Sequence, residues 1–320
     1  MRLLFCGTPQ FAVPALKHLL AETDFRIIAA ITQPDRARGR GQNVSFSPVK
    51  ETALAAGIPV HQPEKIRGPE AQELLETLAP DAIVIIAYGQ IIPARLLAIP
   101  KLGWINLHAS LLPKYRGAAP INWAIVNGER KTGVTSMRID AGMDTGEMLL
   151  QRELEIGPRE TAPELAARMS ELGAPLMTET LRGLAAGTIS PRPQVHELAS
   201  SAPLLKKEDG RIEWSRSAQE IYNRIRGFAP WPGAYTSFRG QTCHILGEPA
   251  SNDLGEQCAQ QDKPGVAGTL LVQRNTAVVR CGGTTYLRLL GVKMEGRRQV
   301  SAAEFVNGAH LFSGEHFGET

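Results

Sequence analysis

Residues 81–88, Asp81-Ala82-Ile83-Val84-Ile85-Ile86-Ala87-Tyr88, form an apolar run too short for a buried helix and rich in β-branched side chains. With apolar residues at both alternations it reads as a strand covered on both faces. Working outward, Gly68–Leu78 has helical spacing before it and Gly103–Leu107 is a further strand after it. Toward the N-terminus, Arg2–Cys6 and Ile27–Thr32 are short apolar runs, separated by Phe11–Leu20, which places Phe11, Ala15 and Leu19 on one helical face. Val134–Ile139 alternates in period two, and Met148–Leu154 follows it. This strand-helix-strand rhythm predicts an α/β unit with a mostly parallel sheet and helices on both faces. Ligands of such sheets bind beyond the carboxyl ends of the strands.

The 320 residues can bury a sizeable core, and two domains are expected. The composition, 43% hydrophobic and 21% charged, is that of an ordinary soluble protein. A net charge of +3 lends only weak support to an anionic partner. Cys6, Cys243, Cys258 and Cys281 contain no close pair, so no zinc site, other metal centre or disulfide framework is expected, and free thiols fit a cytoplasmic protein. Leu3–Cys6 is too short for a signal-peptide core, and no apolar run approaches a membrane span. Gly7-Thr8-Pro9 after the first strand lacks the dinucleotide fingerprint, and there is no P-loop.

Thr161-Ala162-Pro163-Glu164 reads as a capping box opening a helix, with Gly173 and Pro175 expected to break or kink it and a second piece ending at Gly187. Ser190–Pro203 is rich in proline and serine and reads as a linker. Beyond it, Ser217–Arg226 looks helical, and five short β-prone runs follow between Ala234 and Leu290, which suggests a small barrel. Ser251–Gly265 reads as a polar loop. The expected domains are 1–189, a linker 190–206, and 207–320.

Chemistry concentrates in Ile105-Asn106-Leu107-His108-Ala109-Ser110-Leu111-Leu112-Pro113. Strand alternation puts Asn106 and His108 on one face, roughly 6–7 Å apart. A carboxamide and an imidazole aimed at one point can hydrogen-bond a developing oxyanion, and a histidine can move protons near neutral pH. Asp144, in the glycine-rich turn Asp140-Ala141-Gly142-Met143-Asp144-Thr145-Gly146, can fix the histidine tautomer, favour its charged form, or hold a proton-relaying water. Against this stands a plainer reading. An Asn-x-His in a strand often serves structure alone, and Asp140 and Asp144 can be turn-formers.

Taken together, Asn106-x-His108-x-Ser110-Leu111-Leu112-Pro113-x-x-Arg116-Gly117-x-x-Pro120-Ile121, Gly133-Val134-Thr135 and the Asp140–Gly146 block resemble the 10-formyltetrahydrofolate-dependent formyltransferases nearly end to end. Lys207-Glu208-Asp209-Gly210-Arg211-Ile212-Glu213-Trp214 and Phe228-Ala229-Pro230-Trp231-Pro232-Gly233 bring the chain nearest to members acting on aminoacylated tRNA. The resemblance implies a Rossmann-like formyltransferase domain followed by an OB-fold-like β-barrel. It implies catalysis by Asn106, His108 and Asp144 without a covalent enzyme intermediate. It further implies a folate-binding loop at Ser110, Leu111, Leu112 and Pro113, with Ile86, Tyr88, Gly89 and Gln90 lining the same pocket. The co-substrate is then 10-formyltetrahydrofolate, the partner methionyl initiator tRNA, and the molecule a monomer. The alternative acceptor is a 4-amino sugar nucleotide.

The stretch Gln33–Lys50 follows the second strand and carries Arg36, Arg38 and Arg40. It reads either as a solvated surface loop or as a basic loop contacting RNA phosphates. The resemblance favours the second and assigns tRNA contacts to Arg36, Arg38, Arg40 and Lys50. Lys206 and Lys207, with Arg211, Arg224 and Arg226, suggest a second phosphate surface. Trp214 and Trp231 are expected in the core.

Overall fold

Ala82–Ile86 is a strand buried at every position, as a run flanked by neighbours and covered on both faces must be. The computed structural model describes residues 1–38, 43–261 and 266–318. Its strands in chain order are β1 (Arg2–Gly7), β2 (Arg26–Ile31), β3 (Ala37–Arg38), β4 (Asn43–Val44), β5 (Val60–His61), β6 (Ala82–Ile86), β7 (Trp104–His108), β8 (Lys131–Arg138) and β9 (Met148–Glu155). They continue with β10 (Tyr235–Phe238), β11 (Gln241–Pro249), β12 (Leu270–Gln273), β13 (Thr276–Arg280), β14 (Tyr286–Met294) and β15 (Val300–Ser301). The described residues fall into two compact units, one made of residues 1–120, 131–155 and 164–203, the other of 121–130, 156–163 and 204–320.

The first unit holds a sheet ordered β5-β2-β1-β6-β7-β8-β9. Strands β5 to β7 in that order run parallel, and β8 and β9 add antiparallel at one edge. Chain order reverses between β1 and β6, which is where such a sheet opens a crevice beyond its carboxyl ends. The helix Pro69–Leu78 packs Ala71 and Leu75 against Ile83, Ile85, Leu4 and Ile31. Within the basic stretch, β3 and β4 pair as a short hairpin, Arg38 opposite Asn43.

Residues 162–186 form one helix, with Pro175 in its interior. The break expected at Gly173 does not occur. Gly173 serves close packing instead, since a Cβ there would run into Leu107 of β7. Leu107 therefore faces the long helix, and strand alternation turns Asn106 and His108 to the opposite face of the sheet.

The second unit carries an antiparallel sheet ordered β10-β11-β14-β13-β12, with β15 on β14. Ile221 and Ile225 of the helix Ala218–Gly227 and Phe305 and Val306 of the helix Ala302–Gly308 share one core with Phe238, Ile245 and Leu289. The polar loop expected at 251–265 is helical over Asn252–Gln261. Leu254 packs on Leu271, Val278 and Tyr286. Trp214 is a core residue stacked on Phe317, whereas Trp231 is 54% exposed, contrary to expectation. No helix among the described residues is long and apolar enough to cross a membrane.

Candidate active site

The site grows from the carboxyl end of β7. His108 is 6% exposed, and Asn106, two residues earlier on the same face, is half-buried. The imidazole Nε2 lies 2.8 Å from the Tyr115 carbonyl oxygen. A carbonyl only accepts, so Nε2 carries the proton and the tautomer is set by this backbone contact. Nδ1 is the nitrogen left for chemistry. It faces Asp144 Oδ2 at 3.6 Å, too long for a hydrogen bond.

The two aspartates of the glycine-rich turn separate cleanly. Asp140 is the turn-former, accepting from the Gly142 amide at 3.0 Å and from the Thr145 hydroxyl at 2.8 and 2.9 Å. Asp144 reaches out of its loop, and its Oδ2 accepts from the Gly117 amide at 2.8 Å. Gly117 has φ 122, and a Cβ there would lie 2.6 Å from the Ala202 carbonyl oxygen, so the approach requires glycine. Ala87, Tyr115 and Asp144 themselves hold positive φ values of 49, 60 and 52. Backbone strain of this kind persists only where surrounding structure imposes it, and it gathers at functional sites.

The loop Ser110–Pro113 is built around Thr135 of β8. The Thr135 hydroxyl donates to the Ser110 carbonyl at 2.6 Å and accepts from the Leu112 amide at 3.2 Å and Gln151 Nε2 at 3.0 Å. The buried Ser110 hydroxyl donates to the Lys114 carbonyl at 2.6 Å, closing the loop. Leu112 is buried, Leu111 and Pro113 half-buried, and the Leu112–Pro113 bond is cis. Ile86 and Tyr88 are also buried, and burial raises the Tyr88 phenol above its usual range. Ala87, Gly89 and Ile91 after β6 are exposed, the last at 85%. Gln90 lies in a chain of carboxamides. It donates to Gln33 Oε1 at 3.2 Å, while Gln33 donates to the Tyr88 carbonyl at 2.9 Å.

At the root of the basic stretch, the Lys50 ammonium pairs with Asp35, donates to Gln62 Oε1 at 2.7 Å and covers the Phe46 ring at 4.0 Å. Its side chain is 13% exposed, so its charge is satisfied inside the chain. That pairing holds the Asp35 carboxyl below the usual carboxylate range. Arg36 is exposed, Arg38 is placed by its backbone in β3, and Arg40 lies outside the described residues. In the second unit Lys206, Lys207 and Arg211 are exposed. Of the two arginines expected beside them, Arg226 is buried and Arg224 half-buried. Arg226 donates to Asn223 Oδ1 at 2.9 Å and to the Gly157 and Glu160 carbonyls, while Arg224 donates to the Asp209 carbonyl at 2.6 Å.

The arrangement provides an imidazole with one committed nitrogen, a carboxylate facing the other, and a carboxamide on the same face. Burial pushes the Cys243 and Cys281 thiols up to about 12 and raises Cys6 as well, so these cysteines are not nucleophiles at neutral pH. Sequence reasoning gave no role to Tyr115, Thr135 or Gln194, and the buried carboxamide of Gln194 reaches the Asp144 loop. Their signals are backbone carbonyls and isolated polar side chains, which have no periodicity.

The chain matches the family model for formyl transferase over residues 1–181 and that for the formyl transferase C-terminal domain over residues 204–310. A methionyl-tRNA formyltransferase from Solibacter usitatus is 52% identical over 319 residues, spanning 100% of this chain and 99% of that protein. One from Koribacter versatilis is 50% identical over 320 residues, spanning 99% of each. Among solved structures, WlaRD, a sugar 3N-formyl transferase with dTDP and 5-N-formyl-THF, superposes with a TM-score of 0.66 at 19% identity, covering 93% of this chain and 99% of that one. The N-formyltransferase from Helicobacter canadensis gives 0.64 at 19% identity over 90% and 98%. At such identities the structural likeness speaks for the fold alone, whereas the sequence matches decide descent: this chain belongs to the formyltransferase family.

Proposed function

We propose that the protein transfers the formyl group of 10-formyltetrahydrofolate to the amino group of methionyl initiator tRNA, acting as a cytoplasmic monomer. The observation that carries this is His108 held between the Tyr115 carbonyl and Asp144, in a chain 52% identical end to end to a methionyl-tRNA formyltransferase. Asn106 and His108, through Nδ1, stabilise the charge that develops on the formyl oxygen as the amine attacks. Asp144, through a water, guides the amine proton toward the departing folate nitrogen.

Residues 1–189 then form the catalytic domain, with 190–203 packed into the same compact unit, and 207–320 an OB-like tRNA-binding domain. The folate lies against Ser110, Leu111, Leu112 and Pro113 on one side and Ile86, Tyr88, Gly89 and Gln90 on the other. Since Ser110, Ile86 and Tyr88 bury their side chains, their part is to shape the wall and present backbone groups. Arg36, Arg38, Arg40, Lys206 and Lys207 meet tRNA phosphates, and Lys50 holds the root of the loop.

The test is formyl transfer from 10-formyltetrahydrofolate to charged initiator tRNA, run beside a 4-amino sugar nucleotide and uncharged tRNA. Transfer to methionyl-tRNA alone supports the proposal, and transfer to the sugar nucleotide replaces it. Sedimentation at micromolar concentration should show one species of monomer mass, and a dimer would correct that part.

A further inference from the structure

Residues 192–203 follow the long helix and contain only a 3-10 turn at His196–Leu198, yet they are bonded along their length. Arg192 exchanges two backbone hydrogen bonds of 2.9 Å with Met148. Arg116 donates to the Ser200 carbonyl at 2.8 Å and accepts from the Ala202 amide at 2.7 Å, and the Tyr115 amide donates to the Ser200 hydroxyl at 2.9 Å. Between these anchors sits Gln194, 5% exposed.

Its carboxamide is fully used. Nε2 donates to the Asp144 and Gly146 carbonyls, both at 2.8 Å, while Oε1 accepts from Arg116 Nε at 2.9 Å and Nη2 at 2.7 Å. The orientation of the amide is unambiguous, because carbonyls require the nitrogen and a guanidinium requires the oxygen. Gln194 thus joins two chain segments. One is Tyr115-Arg116-Gly117, whose Tyr115 carbonyl orients His108 and whose Gly117 amide holds the Asp144 carboxylate. The other carries Asp144 at φ 52, a conformation that needs outside support.

We infer that Gln194 is a positioning residue that sets the Asp144 carboxylate opposite His108 Nδ1. This rests on the reading of His108 and Asp144 as catalytic. A carboxylate displaced by an ångström keeps substrate binding and loses rate, so the loss belongs in kcat.

The experiment compares wild type, Gln194→Met, Gln194→Glu, Asp144→Asn and the Gln194→Met/Asp144→Asn double variant, with melting curves confirming folding at the assay temperature. Gln194→Met should lower kcat about 10- to 100-fold with KM for the formyl donor within about two-fold. In the Asp144→Asn background it should add almost nothing, because the group it positions is gone. Should Gln194→Met not fold, Gln194→Glu takes its place in the same cycle, since it keeps an acceptor for Arg116 and removes the donor to the two carbonyls. Near-wild-type kcat in the folded variant, or losses that multiply in the double variant, overturns the inference while a crippled Asp144→Asn leaves the catalytic reading standing. Full activity in Asp144→Asn removes the reading and the inference together.

Discussion

At the scale of single residues, the division of labour within His108 has the clearest consequences. Its Nε2 is committed to a backbone carbonyl, so only Nδ1 meets the reaction. His108→Ala should reduce kcat by about 10²–10³-fold, with 10-formyltetrahydrofolate affinity by fluorescence titration nearly unchanged. Affinity falling in step with rate would make His108 a binding residue. Thr135 is the corresponding structural hub. Thr135→Val leaves the buried Leu112 amide and Ser110 carbonyl unpaired, and should cost about 1–3 kcal/mol in urea unfolding. Asn106 and His108 were legible because period two put them on one face. Tyr115 was not, since its part is played by a main-chain oxygen that any residue carries.

At the scale of elements, the root of the basic stretch is the informative piece. Lys50 and Gln62 hold Asp35 where β2 gives way to that stretch. The Asp35 carboxyl is held low by Lys50 foremost, so the clamp's contribution is present above the ordinary carboxylate value near ~4 and is lost as pH falls through the depressed one. Amide exchange of residues 33–36 should therefore be slow and indifferent to this clamp from about pH 7 to 5. Asp35→Asn should weaken local protection by about 1–2 kcal/mol near neutral pH. Unchanged protection would show that the neighbouring carboxamides suffice. The helix Asn252–Gln261 escaped sequence reading because its stretch is mostly polar, and the continuity of 162–186 escaped because a glycine read as a breaker is a packing notch for Leu107.

At the scale of the molecule, the exposed positive charges predict salt-sensitive tRNA binding. Log affinity should fall linearly with log salt, and replacing Arg36 and Arg38 with glutamine should flatten the slope by roughly one unit for each phosphate no longer neutralised. A slope equal to wild type would place the phosphate-binding charges elsewhere. Lys50→Met should weaken binding with the slope retained, because its ammonium is engaged within the chain. A steeper or a flatter slope in that variant would contradict the assignment of Lys50 to the loop root.

The sequence by itself determined the α/β sheet with its carboxyl-end ligand edge, the following β-rich unit, and the pairing of Asn106 with His108. Apolar periodicity and strand alternation are local properties, written in neighbouring residues. Tertiary structure alone decided which histidine nitrogen is left uncommitted, and that Gln194, fifty positions from Asp144 along the chain, bonds the Asp144 loop. Those outcomes depend on where a buried hydrogen-bonding group finds its partner, and burial lets it accept one from any distance along the chain.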